Sequence, residues 1–210
     1  MTEAGLPVLH ARDTAFSYRC GACSQCCYDK RIQVNPYELA RLARNRGMST
    51  TDVIDRFTVD GGAALVTRPD GGCVFLGPHG CTVHADRPLV CRLYPLGRIV
   101  LPDGKEAFVE SDPHPETAGV YGQDGSVGSY LDSQGVAPYV AAADRYYGVL
   151  VKLLQAAPDD SGNDLDGAVV VDADLAVQQD FERGGPPVPA DPESLMTRHL
   201  EILERLAARG

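Results

Sequence analysis

The stretch Cys20-Gly21-Ala22-Cys23-Ser24-Gln25-Cys26-Cys27 is the most informative part of this chain, because it places four thiols within eight residues. Three more cysteines, Cys73, Cys81 and Cys91, follow in the first half of the chain. Repeated Cys-x-x-Cys spacing puts several thiolates in one short loop, which is the arrangement that zinc ions and iron–sulfur clusters require. We therefore predict that residues 20–91 build a metal centre and organise the fold around it.

The seven cysteines outnumber the ligands of a simple site, since one tetrahedral ion or one cubane cluster uses four. Cys26 and Cys27 are adjacent, and neighbouring side chains of an extended backbone point to opposite faces. On that basis we expect these two thiols to reach different metals or different irons of one cluster. A multinuclear centre, two centres, and one centre beside free redox-active thiols all remain open.

Composition favours a compact cytoplasmic protein. The chain has 210 residues, of which 44% are hydrophobic, enough for one sizeable core or for a core with a small satellite module. Residues 1–16 lack the apolar run of a secretory signal, and no stretch is apolar enough to cross a membrane. A reducing cytoplasm disfavours disulfides and favours metal binding by clustered cysteines.

The acidic charge is concentrated in one segment. Residues 157–193 carry ten acidic side chains and one arginine, a net charge of −9 within a chain of net charge −10. This segment is interpreted either as a solvated, loop-rich extension or as a patch that binds a protein partner. Neither interpretation suits nucleic acid, which requires a basic face.

Capping patterns predict two helices after the cysteine loop. Asn35-Pro36-Tyr37-Glu38 combines an N-cap residue, a proline in the first turn and a capping-box glutamate, so a helix is predicted to Arg46, ended by Gly47. Ser49-Thr50-Thr51-Asp52 predicts a second, shorter helix.

Turn sequences predict two β-hairpins. Residues 63–66 and 73–76 flank Pro69-Asp70-Gly71-Gly72, and this hairpin would deliver Cys73 on its second arm. Residues 98–101 and 106–109 flank Pro102-Asp103-Gly104-Lys105 in the same way.

The second half is predicted to be mostly helical. Helices are expected at 127–134, at 138–157 and at 192–208, a strand at 168–171, and links at 159–166 and 184–192. The 138–157 helix is predicted from the helical spacing of six apolar residues, Val140, Ala143, Tyr147, Leu150, Val151 and Leu154. The last helix would pack on the body of the protein, with a dimer seam as the alternative.

These elements predict an α+β fold. The predicted arrangement is a small metal-organised domain over residues 1–157, with short β-hairpins and packing helices, followed by an acidic extension, 158–210, that ends in a helix.

The order of the motifs resembles one known family. Cys-x-x-Cys-x-x-Cys-Cys at 20–27 is followed by Cys73-Val74-Phe75-Leu76 and by Arg87-Pro88-Leu89-Val90-Cys91-Arg92-Leu93-Tyr94-Pro95. This pattern resembles the YkgJ family of cysteine-cluster proteins, the CxxCxxCC zinc- or iron-chelating domain. The resemblance implies a bacterial, cytoplasmic, metal-chelating domain related to the cysteine-rich part of flagellin lysine N-methylases, where an iron–sulfur cluster is associated with methyl transfer.

The resemblance also implies a ligand set. The family's metal positions fall on seven residues of this chain: Cys20, Cys23, Cys26, Cys27, Cys73, Cys81 and Cys91. His84 stands where the family often has tyrosine, which makes it a further candidate ligand in this chain.

The donor set favours an iron–sulfur cluster, of the 4Fe-4S type, over zinc. A cluster held by thiolates is anionic, and Arg87 and Arg92 beside Cys91 would offset its charge from just outside the ligand set. Anion or substrate binding is the alternative role for both arginines. Zinc uses the same donors, and with His79 or His84 the chain would supply eight, enough for two tetrahedral ions.

Two other features carry weaker signals. Glu110, Asp112 and His114 have alternate spacing and would bind a hard metal or serve in acid–base chemistry, or else form a solvated turn. Residues 119–128 contain four glycines but lack the GxGxxG order, so a turn-rich connector is predicted.

The function predicted from the sequence is metal binding in support of redox or group-transfer chemistry. If the chain is an enzyme, we expect a metal-cluster-dependent redox or methyl-transfer activity. The alternatives are a structural zinc module that presents the acidic tail to a protein partner, and a metal donor or chaperone.

Overall fold

The computed structural model describes residues 8–156 and 167–208. The helices in these parts of the chain are α1 Pro36–Arg46, α2 Thr50–Phe57, α3 Leu89–Leu93, α4 Val127–Ser133, α5 Ala137–Ala156, α6 Gly167–Val171, α7 Ala173–Glu182 and α8 Pro192–Ala207. The strands are β1 Ala15–Arg19, β2 Thr58–Val59, β3 Ala64–Leu65, β4 Leu76–Gly77, β5 Gly80–Cys81, β6 Leu96–Val100, β7 Glu106–Glu110 and β8 Val120–Ser126.

The strands form four separate antiparallel pairs: β1 with β8, β2 with β3, β4 with β5, and β6 with β7. Helices and short strand pairs in one chain confirm the predicted α+β class. Across residues 8–156 and 167–208, no helix is both long and apolar enough to cross a membrane.

The two helices predicted from capping patterns are confirmed. The side chain of Asn35 accepts a hydrogen bond from the Glu38 amide, and the Glu38 carboxylate accepts one from the Asn35 amide at 2.8 Å. Gly47 ends α1 at φ +66°, a left-handed conformation that glycine adopts without a steric penalty. Ser49 caps α2 by accepting a hydrogen bond from the Asp52 amide.

One predicted hairpin is complete and the other is reduced. β6 and β7 pair in register with Arg98 opposite Phe108, which confirms the second hairpin. In the first, only Thr67 and Cys73 form a bridge, and β3 pairs with β2 instead. The tight turn before Cys73 persists, since the Arg68 amide donates to the Gly72 carbonyl at 2.7 Å.

The glycine-rich stretch 119–128 is not a connector, so that prediction is wrong. Most of it is β8, which pairs with β1 in a register that places Gly122 opposite Ser17. A Cβ atom at Gly122 would lie 2.8 Å from the Ser17 hydroxyl oxygen, so the absence of a side chain allows the two strands to approach.

The strand predicted at 168–171 is also wrong, because this segment forms helix α6. Helix α7 follows it and was not predicted. The Asp172 carboxylate caps α7 by accepting from the Leu175 amide at 3.1 Å, and it also accepts from the hydroxyls of Thr50 and Thr51 at 2.5 and 2.6 Å. These tertiary hydrogen bonds fix a turn that local β-propensity does not reveal.

The predicted linker 159–166 lies outside the described residues, and so does the predicted domain boundary after residue 157. The division into residues 1–157 and 158–210 therefore stays a prediction.

Helix α5 exists as predicted, but half of the apolar residues at the predicted spacing are exposed. Tyr147, Val151 and Leu154 are exposed, with Leu154 at 76% of its accessible area. The buried positions are Tyr139, Ala143, Tyr146, Val149 and Leu153. Apolar residues occur all round this helix, so helical spacing alone does not select the buried face.

The last helix packs on the body of the protein, as expected. Its buried residues Leu200 and Leu203 meet Tyr37 of α1 and Tyr139 of α5 in a helical core. A second core contains Leu39 and Leu42 of α1 with the residues around the cysteines: Val53, Leu65, Cys73, Phe75, Leu76 and Val83. Helix α1 thus contributes to both cores and holds the cysteine-bearing loops against the helices.

Candidate metal centre

Six of the seven cysteines line one cavity of about 890 Å³. They come from the loop after β1 and from three later segments of the chain, and they are Cys20, Cys26, Cys27, Cys73, Cys81 and Cys91. Cys23 is not among the residues that line it. The fold therefore brings the two cysteine-bearing regions of the sequence to a single place.

Backbone hydrogen bonds connect these segments. The Cys73 amide donates to the Cys27 carbonyl at 2.8 Å, and the Asp29 amide donates to the Gly71 carbonyl at 2.9 Å. The short β4–β5 pair places Cys81 opposite Leu76, one turn of chain beyond Cys73. The first cysteine loop and the Cys73 arm are thus joined directly through their main chains.

Cys26 and Cys27 face the same cavity. The expectation that they point to opposite faces assumed an extended backbone, but residues Gln25–Cys27 form a 3-10 turn that starts from Ser24 at φ +62°. A hydrogen bond between the two thiols lowers the pKa of Cys26 to about 7 and raises that of Cys27, because the Cys27 thiol stabilises the neighbouring thiolate. That the two thiols bind different metal ions, or different irons of one cluster, stays a prediction.

The other thiols of the cavity resist ionisation on their own. Burial raises the pKa of Cys73, Cys81 and Cys91, and for Cys91 the neighbouring Cys73 and Cys81 add to the effect. Electrostatic interactions link Cys81 and Cys91 with Cys26 and Cys27, and Cys73 with Cys81 and Cys91. Because a bound cation compensates both burial and mutual repulsion, five interacting thiols favour metal binding over free thiolates.

Cys20 and Cys23 are set apart from these five. Cys20 is exposed, and its sulfur accepts a hydrogen bond from the Ala22 amide at 3.4 Å. The sulfur of Cys23 accepts from the Ala118 amide at 3.4 Å, and backbone amides lower the pKa of this thiol. Cys23 therefore contacts the segment before β8 rather than the cavity.

Arg92 is a buried link between the cysteine-bearing segment and the helices. Its guanidinium donates to the Arg87 carbonyl at 3.0 Å, the Gln134 carbonyl at 2.9 Å and the Tyr139 hydroxyl at 2.8 Å, and also to the Ala85 carbonyl. These hydrogen bonds fix the chain around Cys91 to the turn between α4 and α5. All four acceptors are oxygen atoms and none is a cysteine sulfur, which supports a role for Arg92 in positioning the backbone around Cys91.

Arg87 is half-buried and lines the cavity. It donates to the His84 carbonyl at 2.9 Å and to the Gln134 side-chain oxygen at 2.8 Å. Its charge interacts with Cys81 and Cys91.

Two histidines also line the cavity, His79 and His84. Burial and the positive charges of Arg87 and Arg92 lower the pKa of His84, which favours the neutral imidazole that binds metals. The Glu110, Asp112 and His114 trio does not line this cavity, and the ring nitrogen of His114 accepts from the Glu116 amide at 3.1 Å.

The chemistry of the donor set fits zinc or iron, because thiolates and imidazoles are the ligands that both metals use in proteins. Within the described residues, no three His, Cys, Asp or Glu side chains are close enough to hold a metal ion as they stand. The thiols share a cavity, and a change of χ1 rotamer moves a sulfur without moving the backbone. The fold thus supplies the ligands near one another, and metal binding would complete their convergence.

Residues 19–114 match the family model "CxxCxxCC: Putative zinc- or iron-chelating domain". We refer to residues 19–114 as the CxxCxxCC domain, after the family model that they match. The match agrees with the resemblance to the YkgJ family and supports metal binding by this region. Comparisons with curated proteins and with solved structures gave no match.

Three tyrosines also line the cavity, and two of them, Tyr18 and Tyr130, lie outside the CxxCxxCC domain. Tyr18, Tyr94 and Tyr130 line the wall beside Cys20, and the ring centroid of Tyr18 lies 5.8 Å from that of Tyr94. Tyr94 belongs to the Arg-x-Tyr-Pro motif, so the sequence pattern could have identified it as a residue of the site. Tyr18 reaches the site only through the pairing of β1 with β8, so no local pattern in the sequence points to it.

Glu38 is a buried carboxylate that connects α1 to the helix carrying Cys91. Besides capping α1, it accepts a hydrogen bond from the Leu89 amide at 2.5 Å, at the start of the helix that carries Cys91. Burial raises its pKa to about 7, against the effect of these hydrogen bonds. The capping box predicts Glu38 as a helix residue but not its contact with α3.

Proposed function

We propose that the CxxCxxCC domain holds an iron–sulfur cluster, of the 4Fe-4S type, and that the cluster supports redox or group-transfer chemistry. The observation that carries the proposal is a single cavity with five electrostatically interacting thiols, Cys26, Cys27, Cys73, Cys81 and Cys91. A cubane uses four thiolates, so this set suffices and leaves one thiol to spare.

The surroundings of the thiols support a cluster. Four thiolates around a cubane carry net negative charge, and Arg87 together with Lys30 interacts electrostatically with Cys26. The tyrosine wall and the other apolar side chains make the lining mostly apolar, and the polarity of the surroundings is one of the ways in which a protein adjusts the potential of a cluster.

A structural zinc site is the second candidate, and one observation favours it. Between α2 and α3 the chain has only strands of two residues and 3-10 turns, although this stretch carries Cys73 and Cys81. A zinc ion bound by four thiolates would stabilise such loops directly. The acidic extension, 158–210, would then be the part that binds a protein partner.

Elemental analysis and an absorption spectrum of protein purified without oxygen separate the two. We expect iron and acid-labile sulfide in similar amounts, with brown colour that bleaches in air. Colourless protein with stoichiometric zinc, in cells supplied with excess iron, would contradict the cluster and support the zinc site.

A further inference from the structure

The charge of the cavity lining is opposite to that of the chain. The chain has 29 acidic and 19 basic residues, yet the described residues that line the cavity include Lys30, Arg31, Arg87 and Arg92 and not a single aspartate or glutamate. Carboxylates pair with most other arginines whose contacts are described, for example Arg41, Arg98 and Arg198. The cavity is therefore a local concentration of positive charge.

One of these four cations, Arg31, is already neutralised, by an ion pair with Asp60 at 2.7 Å. The guanidinium of Arg92 is directed at uncharged carbonyl and hydroxyl oxygens, which leaves its positive charge unpaired. Arg87 and Lys30 form no ion pair with any carboxylate in the described parts of the chain. Their charges are thus available to something else that enters the cavity.

The metal centre accounts for only part of this charge. One zinc ion with four thiolates, or a cubane in its oxidised state, carries a formal charge of about −2. Lys30, Arg87 and Arg92 together carry more positive charge than that. A neutral site accordingly needs a further negative charge.

The metal centre also accounts for only part of the volume. The cysteine sulfurs belong to the wall, so the irons and sulfides of a cubane, or one zinc ion, are all that the metal centre adds inside the cavity. A cavity of about 890 Å³ lies in the upper part of the range of roughly 300–1,000 Å³ that small-molecule pockets occupy. Room for a small organic molecule remains beside the thiols.

We propose that the cavity binds a small organic anion next to the metal centre, through a carboxylate or phosphate group, with Arg87 as the principal anchor and Lys30 as the second. The His84 carbonyl and the Gln134 side-chain oxygen each accept from one arm of the Arg87 guanidinium, at 2.9 and 2.8 Å, so its remaining N–H groups have a fixed direction and suit a two-oxygen acceptor. This deepens the proposed function, on which it rests, because the anion would be the substrate or co-ligand of that centre.

The test is the unfolding midpoint of the metal-loaded, full-length protein. Succinate and inorganic phosphate are each titrated against sodium chloride at equal ionic strength, with metal content measured before and after. We expect one of the two anions to raise the midpoint by about 2–4 °C, and the Arg87→Gln variant to lose this rise. The Arg56→Gln variant is the matched control, since Arg56 is exposed and pairs with Asp52 away from the cavity.

Each outcome decides the proposal. No rise with either anion in metal-loaded protein overturns it, as does an equal rise in the Arg87→Gln variant that retains its metal. If that variant loses its metal, Lys30→Gln serves instead: a weakened rise supports the proposal and an unchanged one overturns it. If the wild-type protein contains no metal, the proposed function is contradicted, and the metal analysis shows this independently of the anion titration.

Discussion

At the residue scale, the fold separates five interacting cysteines from Cys20 and Cys23, and substitution of single cysteines tests this division. Cys91 lies within the group of five interacting thiols, whereas Cys23 contacts the Ala118 amide outside the cavity. We expect Cys91→Ser to lower the metal retained after dialysis by about tenfold or more, since a ligand is lost, and Cys23→Ser to retain most of it. Metal analysis of both variants, purified in parallel, measures this. Equal loss in the two variants would place Cys23 among the ligands.

Glu38 predicts a pH dependence of stability. Its pKa is raised to about 7 in the folded protein from an ordinary value of 4.5, so between these values the folded state holds more protons than the unfolded state. The contribution of this group is present in full below pH 4.5 and is lost as the pH rises through 7. We therefore expect wild type to lose about 2 kcal/mol relative to Glu38→Gln between about pH 5.5 and about pH 8.5.

Urea unfolding of both proteins at the two pH values gives the difference. Because the glutamine side chain of the variant lacks one acceptor at every pH, the constant part of the difference cancels in this comparison. A difference that does not change with pH would show that Glu38 ionises at its ordinary value.

At the level of elements, neighbouring residues of α5 test which face is buried. Leu153 is 7% exposed and Leu154 is 76% exposed. Leu153→Ala should lower the free energy of unfolding by about 2–4 kcal/mol, because it leaves a cavity in the helical core, while Leu154→Ala should change it by less than about 0.5 kcal/mol. Chemical denaturation of the two variants checks this. The reverse order would show that Leu154 lies on the buried face.

The connection between α3 and the α4–α5 turn depends on Arg92. Arg92→Lys keeps the charge but cannot donate to the carbonyls of Arg87 and Gln134 and to the Tyr139 hydroxyl together. We expect a loss of about 2–4 kcal/mol in unfolding free energy, since buried acceptors lose their partner. Arg56→Ala, which breaks an exposed ion pair, should cost less than about 1 kcal/mol and is the control.

Elements with local signals were predictable, and those fixed by distant partners were not. The capping patterns and the terminating Gly47 predicted α1 with its bounds and the start of α2. β1 and β8 are far apart in the chain, and their pairing rests on close approach at Gly122, which no local pattern encodes. Helix α6 is rich in valine and resembles a strand until its tertiary contacts are known.

The same distinction holds for the site. The spacing of the cysteines identified all seven as candidate ligands. The prediction that Cys26 and Cys27 point to opposite faces was wrong, because their backbone forms a 3-10 turn and is not extended. The exclusion of carboxylates from the cavity wall is a property of three-dimensional arrangement. It could not be predicted from a chain that is acidic as a whole.

At the scale of the whole molecule, removal of the metal should affect one half of the fold. The core around Leu39 and Phe75 includes Cys73 and is flanked by Cys27, Cys81 and Cys91, whereas the core of α1, α5 and α8 contains no cysteine among the described residues. We expect chelation to raise hydrogen exchange by about tenfold or more in residues 20–34 and 67–92 and to leave α5 and α8 unchanged. Uniform acceleration throughout the chain would show that the metal holds the entire fold together.

The main-chain hydrogen bond from Cys73 to Cys27 has a consequence during protein synthesis. Ribosomes add about 5–20 residues per second, so roughly 3–13 s pass between the emergence of Cys27 and that of Cys91. Throughout that interval Cys26 and Cys27 lack the wall that later encloses them and are open to oxidants. The growing chain is thus most vulnerable before its second cysteine-bearing segment has left the ribosome.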